Sequence, residues 1–314
     1  MGQQIITWAS SFALMLFLPR YLGPEKYGRL YLAEMIAAIF VVFISYDGRF
    51  SIAKRISRRR EDAAGILSNS LGFRAIFWGF SFAGMLIFSF SAGYPTPLQI
   101  IIVIFGVEML WVSGRTVYTG TFLGFENTSY GAVSAIVERA FVAAVGIPVL
   151  IYGGEEIAIA LVMVVGTLLG FLVCSRLMKR IIPVLPPIDW KESRQLIREG
   201  FPFLLWTVFG IIYYRIDTVM LSFMTPEVTV GWYGAAYKFY DILAFLPSIL
   251  TLSILPILSR LYGKEGNMLE VTTQKSLNII LITGVPISVT VFFFARQITE
   301  FFYGIEEYGP SVIN

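Results

Sequence analysis

From residue 5 to residue 303 the chain alternates between long apolar runs and short polar links. Nine runs stand out: Gln4–Leu22, Tyr27–Ser45, Gly65–Phe90, Leu98–Leu123, Tyr130–Tyr152, Ile157–Met178, Phe201–Met224, Val230–Leu255 and Leu277–Ala295. Crossing the hydrocarbon core of a bilayer takes about 20 mostly apolar residues, and slightly longer runs fit with some tilt. Strands that cross a membrane alternate over about ten residues, a pattern the chain lacks. The pattern predicts an all-α, polytopic membrane protein with about nine transmembrane helices. Ile5–Leu18 has no basic segment before it and further spans behind it, so it reads as a first span rather than a cleaved signal.

Composition agrees with this reading. Charged residues make up 14% of the chain and hydrophobic ones 56%, whereas soluble domains carry about 25% charged residues. The basic residues sit in short links between spans, which is no nucleic-acid footprint. There is no histidine, so imidazole bases, the common zinc sites and histidine proton relays are excluded. Cys174 is the single cysteine and cannot form an internal disulfide. No acidic metal motif is in evidence either, so the chain is not expected to be an enzyme. Its cofactor requirement is none beyond H⁺ or Na⁺ as a coupling ion.

Basic residues orient the spans. The link after span two holds Arg49, Lys54, Arg55, Arg58, Arg59 and Arg60, and the link after span six holds Arg176, Lys179, Arg180, Lys191, Arg194 and Arg198. Arg260, Lys264 and Lys275 follow span eight. The links after spans three, five and seven have no lysine or arginine and carry Glu155, Glu156 and Glu227. By the positive-inside rule the N-terminus and the even-numbered links are cytoplasmic. Two links are exceptions: the first, with Arg20, Lys26 and Arg29 on the expected outside, and the near-neutral link after span four, expected inside. In the long link, Pro183, Pro186 and Pro187 break the chain, and Asp189 is placed to cap a short interfacial helix ending at Glu199. The expected organisation is a first six-helix bundle over residues 1–180, a cytoplasmic linker over 181–200, and the first half of a second bundle over 201–314.

A faint repeat supports two bundles. Pro24-Glu25-Lys26-Tyr27-Gly28 opens span two, and Pro226-Glu227 followed by Gly231-Trp232-Tyr233-Gly234 opens span eight. An even number of spans between the copies makes them parallel. Other short motifs fall in order along the chain. Tyr21-Leu22-Gly23-Pro24-Glu25-Lys26-Tyr27-Gly28 precedes Phe122-Leu123-Gly124-Phe125-Glu126-Asn127; then come Gly200-Phe201-Pro202, Arg215-Ile216-Asp217-Thr218-Val219-Met220, and Gly231–Lys238. Together they resemble the O-antigen type of polysaccharide-biosynthesis flippase, within the MATE-like exporters of the MOP superfamily. The resemblance implies a MATE-like two-bundle transporter. Members of that family usually have twelve to fourteen helices, so the second bundle is expected to be incomplete here. It also implies a function: flipping a polyprenyl-diphosphate oligosaccharide from inner to outer leaflet of the plasma membrane by alternating access. The expected partners are the lipid-linked oligosaccharide, membrane lipids and polysaccharide assembly proteins. The alternative is a cation-coupled multidrug exporter of the MATE type.

Ionisable residues inside spans cost about 2.5–3.5 kcal/mol each on insertion scales, so each needs a partner or a watery cavity. Glu108 and Arg115 lie seven residues apart on one face of span four, with Trp111 between them. Arg215 and Asp217 in span seven point about 200° apart and cannot satisfy each other. Lys238 and Asp241 in span eight share a face. Arg115, Arg215 and Lys238 are candidate cavity cations for the phosphates of a lipid-linked cargo, since guanidinium forks match phosphate oxygens. Asp217, Asp241 and Glu108 are candidate ion-coupling carboxylates. Arg74, Glu138 and Arg139, nearer the cytoplasmic end, are expected to pair across helices.

Overall fold

The structure, a computed structural model, describes residues 2–45, 48–262, 267–304 and 308. The side chains of residues 2–16, 190–199, 202–203, 245–246, 248–249, 252–253 and 255–256 lie outside the described set, as does Lys264. Among the described residues all regular secondary structure is helical: α1 Gly2–Ile44, α2 Arg49–Arg58, α3 Ala63–Ser91, α4 Thr96–Gly124, α5 Thr128–Ile151, α6 Glu156–Met178, α7 Trp190–Met224, α8 Glu227–Leu261 and α9 Met268–Tyr303. Among the described residues seven helical stretches are long and apolar enough to cross a membrane. The protein is a polytopic membrane protein of the all-α class. Many large apolar side chains are exposed, such as Phe80, Trp206, Phe209 and Phe292; lipid tails cover such a surface without cost.

Three details depart from the span-by-span expectation. The first two runs are two helices that meet end to end within α1, because the link between them shrinks to a non-helical kink at Gly23, with φ 72° and ψ 166°. Glycine adopts that backbone at little cost, and Pro24 then starts the next turn with a preset φ and no orphaned N–H. Inside the basic link lies an unexpected ten-residue helix, α2, whose Ile52, Ala53 and Ile56 are buried. Lastly, the expected interfacial helix ending at Glu199 is no separate element. It is the first part of α7, which runs through Gly200 and Pro202 without a break. Membrane helices tolerate such residues because neighbours satisfy the freed carbonyl.

The chain forms two compact units, Met1–Gly231 and Trp232–Asn314. In the first, α4 is central and packs against α1, α2, α3 and α6. One core cluster joins Ile52 and Ile56 of α2, Leu67 of α3, Val117 and Phe122 of α4, and Cys174 and Met178 of α6. The linker before α7 is tied to the start of α3. Ser68 Oγ donates to the Pro186 carbonyl at 2.7 Å, and the Asp189 N–H donates to Asn69 Oδ1 at 2.8 Å. Polar side chains hold apolar helices in register: Ser81 Oγ donates to Phe40 O at 2.6 Å and Trp78 Nε1 to Gly106 O at 2.9 Å. In the second unit Phe239 of α8 packs on Phe302 and Tyr303 of α9, and the Tyr303 hydroxyl donates to Ala235 O at 3.5 Å.

Candidate functional site

The face of α4 that carries Glu108, Trp111 and Arg115 looks into the first unit, towards α5 and α6. Trp111 Nε1 donates to Thr167 Oγ1 of α6 at 2.9 Å, and Glu108 shares Thr167 as a hydrogen-bond partner. The charges that act on Glu108 come from Glu34, Arg115 and Arg139. Two turns along from Glu108, Arg115 forms an ion pair with Glu138 of α5. Gly170 of α6 makes room for it: a Cβ there would lie 2.9 Å from Arg115 Nη1 and 3.3 Å from Glu138 Oε2. Ser134 Oγ closes the group by donating to Gly170 O at 2.8 Å. Arg115 is thus a cation with a dedicated carboxylate, and the Glu138 pairing expected across helices takes place with Arg115. Arg74 of α3 is 1% exposed; its Nη1 donates to Ser113 O at 2.7 Å and to Ser45 Oγ at 3.4 Å.

Arg215 and Asp217 are half-buried on α7. Asp217 turns back onto its own helix, where Oδ1 accepts the Thr218 N–H at 2.7 Å and the Thr218 hydroxyl at 3.4 Å. Lys238 and Asp241 belong to the second unit, the first half-buried and the second exposed. The first unit thus brings Glu108 and Arg115 to one polar seam and places Arg215 and Asp217 on α7.

A second constellation lies where the links after α1's kink, α5 and α7 meet. Arg29 is its hub. Its Nη1 donates to Glu25 Oε1 at 2.8 Å and to Glu227 Oε2 at 2.9 Å, and its Nε donates to Glu156 Oε1 at 3.0 Å. Beside it Lys26 Nζ donates to Glu155 Oε1 at 2.8 Å, which holds the Glu155 carboxyl below its ordinary pKa. Arg29 is 13% exposed and Glu156 5%, so that pair has left water almost completely. The two copies of the repeat meet at this place. A Cβ on Gly28 would collide with the Glu227 carbonyl, and one on Gly231 with the Pro24 carbonyl. Each copy's glycine therefore accepts the backbone of the other's Pro-Glu step. Sequence reasoning treated Arg29 only as an exception to the charge rule. The signal was present: three basic residues in a link expected outside, and four glutamates confined to the links on that side.

The chain is thus an all-helical polytopic membrane protein whose repeated motifs meet at a glycine-packed, ion-paired junction. The comparisons agree. A profile described as polysaccharide biosynthesis protein matches residues 1–262, and the chain belongs to that family. Its fold is similar to an inward-facing multidrug-resistance MATE transporter of the MOP superfamily, with a TM-score of 0.73 at 16% identity, covering 98% of this chain and 75% of that one. An outward-facing structure of such a transporter gives a TM-score of 0.63 at 15% identity, with 99% and 74% covered. A MOP transporter from Pyrococcus furiosus gives 0.63 at 14% identity, again with 99% and 74% covered. No curated protein matches the chain significantly.

Proposed function

We propose that this protein moves a lipid-linked oligosaccharide, carried on a polyprenyl diphosphate, across the plasma membrane by alternating access. The observation that carries this reading is membership of the polysaccharide biosynthesis family over residues 1–262, combined with a transporter fold. A diphosphate cargo needs cations in a watery path, and arginine forks suit phosphate oxygens. Arg115, Arg215 and Lys238 are the candidate cations for the cargo's phosphates, and Arg115 is reached only by displacing Glu138. Glu108 and Asp217 are carboxylates within spans that can take up a coupling H⁺ or Na⁺, as is Asp241 from α8. No covalent chemistry is asked of the chain. We place the N-terminus and the α2 link on the cytoplasmic side, with polysaccharide assembly proteins as partners.

Multidrug export is the second reading, favoured by the MATE transporters that share the fold. For the Pyrococcus furiosus transporter, reverse polarity of the binding pocket is taken to suggest a different function. Pocket charge is therefore the property to test. The experiment is transbilayer movement of a fluorescent polyprenyl-diphosphate oligosaccharide in proteoliposomes, with Arg215→Ala and Lys238→Ala beside the parent. Movement that falls at least tenfold in Arg215→Ala supports the reading. Efflux of an organic cation without movement of the diphosphate refutes it.

A further inference from the structure

We infer that α2 is a docking surface for the headgroups of anionic bilayer phospholipids. The helix has two faces with different duties. Ile52, Ala53 and Ile56 are buried against α4, where the glycines four residues apart, Gly120 and Gly124, let the backbones approach. A Cβ on Gly120 would lie 2.8 Å from Arg49 O, and one on Gly124 would lie 3.1 Å from Ala53 O. The helix is therefore clamped to the end of a spanning helix, and its orientation is set by packing rather than by lipid.

The opposite face carries Phe50, Lys54 and Arg58 at i, i+4 and i+8, all exposed. Phe50 is 62% exposed, with the Arg49 guanidinium 4.7 Å from its ring centroid. Ten residues make a helix about 15 Å long, too short to span, and four of them are basic. Its buried face is seated on Gly120 and Gly124 at the end of α4, which puts it where spanning helices end and headgroups begin. A rigidly held stripe of one aromatic ring and two cations at that depth has the composition of an interfacial helix: ring towards the acyl boundary, ammonium and guanidinium towards phosphates. The neighbouring cations are partly occupied. Arg59 lies 4.0 Å from Asp62 and Arg60 3.7 Å from Glu126, which leaves Lys54 and Arg58 as the stripe's lipid contacts.

Positive-inside placement alone would ask only that these residues be basic. It would not ask for a glycine-clamped helix, nor for an exposed phenylalanine at the head of the cation stripe. The occupant is committed to bilayer phospholipid because the stripe is short, shallow and apolar in part, whereas a sugar-bearing cargo needs a deep polar path. This surface is independent of the transport reading.

The test is native mass spectrometry of the chain released from nanodiscs of phosphatidylcholine with increasing phosphatidylglycerol, counting retained lipids of each class. Each cation near an anionic surface is worth about fivefold in occupancy, so Lys54→Gln/Arg58→Gln should lower phosphatidylglycerol enrichment on the order of 25-fold. Phe50→Ser should lower retention of both lipids. The matched control is Lys179→Gln/Arg180→Gln, which removes equal charge at the end of α6 and should leave the enrichment within about twofold. Equal loss in both double variants overturns the proposal, because bulk charge then explains the preference. Displacement of phosphatidylglycerol by a small mole fraction of undecaprenyl diphosphate also overturns it, since α2 would then be a cargo site.

Discussion

Replacing Arg29 by alanine should loosen the junction between the repeated motifs, and the structure sets the scale. Arg29 satisfies three carboxylates, of which Glu156 is 5% exposed, Glu227 26% and Glu25 61%. Removing one partner of a buried pair costs about 3–5 kcal/mol, because the other charge stays unpaired in a medium that solvates it poorly. Exposed pairs contribute about 0–1 kcal/mol each. Glu156 therefore dominates, Glu227 adds a fraction, and Glu25 adds almost nothing. Taking the low end, about 3 kcal/mol, the closed arrangement loses roughly two decades in population. Val230 adjoins Gly231 and is 1% exposed, so a cysteine there, in a Cys174→Ser background, reports opening through its rate of reaction with a membrane-impermeant maleimide. Arg29→Ala should raise that rate about 100-fold. Arg29→Lys should fall between, since an ammonium lacks the fork that holds several carboxylates at once. Glu25→Ala should stay within about threefold of the parent. Equal rates in Arg29→Ala and Glu25→Ala would refute the argument that burial, rather than the number of ion pairs, sets the strength of the junction.

Four further outcomes follow from the same geometry. Gly231→Ala forces a methyl into the Pro24 carbonyl; overpacking of this kind costs about 1–3 kcal/mol, read as a lower melting temperature and faster Val230→Cys labelling. Glu138→Ala strands the Arg115 guanidinium and should destabilise by about 3–5 kcal/mol, while Arg115→Gln/Glu138→Gln should cost less than the sum of the single changes in a double-mutant cycle. Gly170→Leu should displace the same pair and mimic Glu138→Ala in thermal unfolding. The Glu155 carboxyl is held below its ordinary value by Lys26, so its contribution is present above the usual glutamate pKa of about 4.3. It disappears only as pH falls through the lower folded value; stability measured between pH 5 and 8 should show no step that Glu155→Gln removes.

What could be read from the chain follows from which interactions are local. Spans were legible because hydrophobic run length is a one-dimensional property. The kink at Gly23 was not, since a single positive-φ glycine replaced the loop that a polar link suggests. The α2 helix escaped because only Ile52, Ala53 and Ile56 mark its buried face, too few for any search tuned to spanning length. The three prolines of the linker pointed to a break, and it falls at 183–187; but Gly200 and Pro202, which looked like the start of span seven, lie inside one continuous helix. Candidate charges were visible from their cost in lipid. Their partners were not, because only pairs three or four residues apart can be inferred along one helix. Arg115 with Glu138, and Arg29 with Glu156 and Glu227, join residues that are 23, 127 and 198 positions apart.

The ion pairs also sharpen the prediction of sidedness. Arg20, Lys26 and Arg29 count against the orientation when every basic residue is given equal weight. Two of the three are matched by carboxylates within 3.0 Å, Lys26 by Glu155 and Arg29 by Glu25, Glu156 and Glu227. A cation that enters the membrane interface beside its counter-ions carries little net charge for the orienting field to act upon. The α2 link behaves differently: Lys54 and Arg58 are exposed, and of the acidic residues near it, Glu61, Asp62 and Glu126, the last two lie 3.7–4.0 Å from Arg59 and Arg60. The unmatched charge thus collects at the α2 end, which the positive-inside rule assigns to the cytoplasm. Single cysteines at Ser57 and at Tyr152, both exposed, test this in a Cys174→Ser background. In intact cells an impermeant maleimide should label Tyr152→Cys and leave Ser57→Cys unmodified until the membrane is opened. The reversed pattern would sink the orientation, and with it the assumption that paired cations drop out of the charge balance.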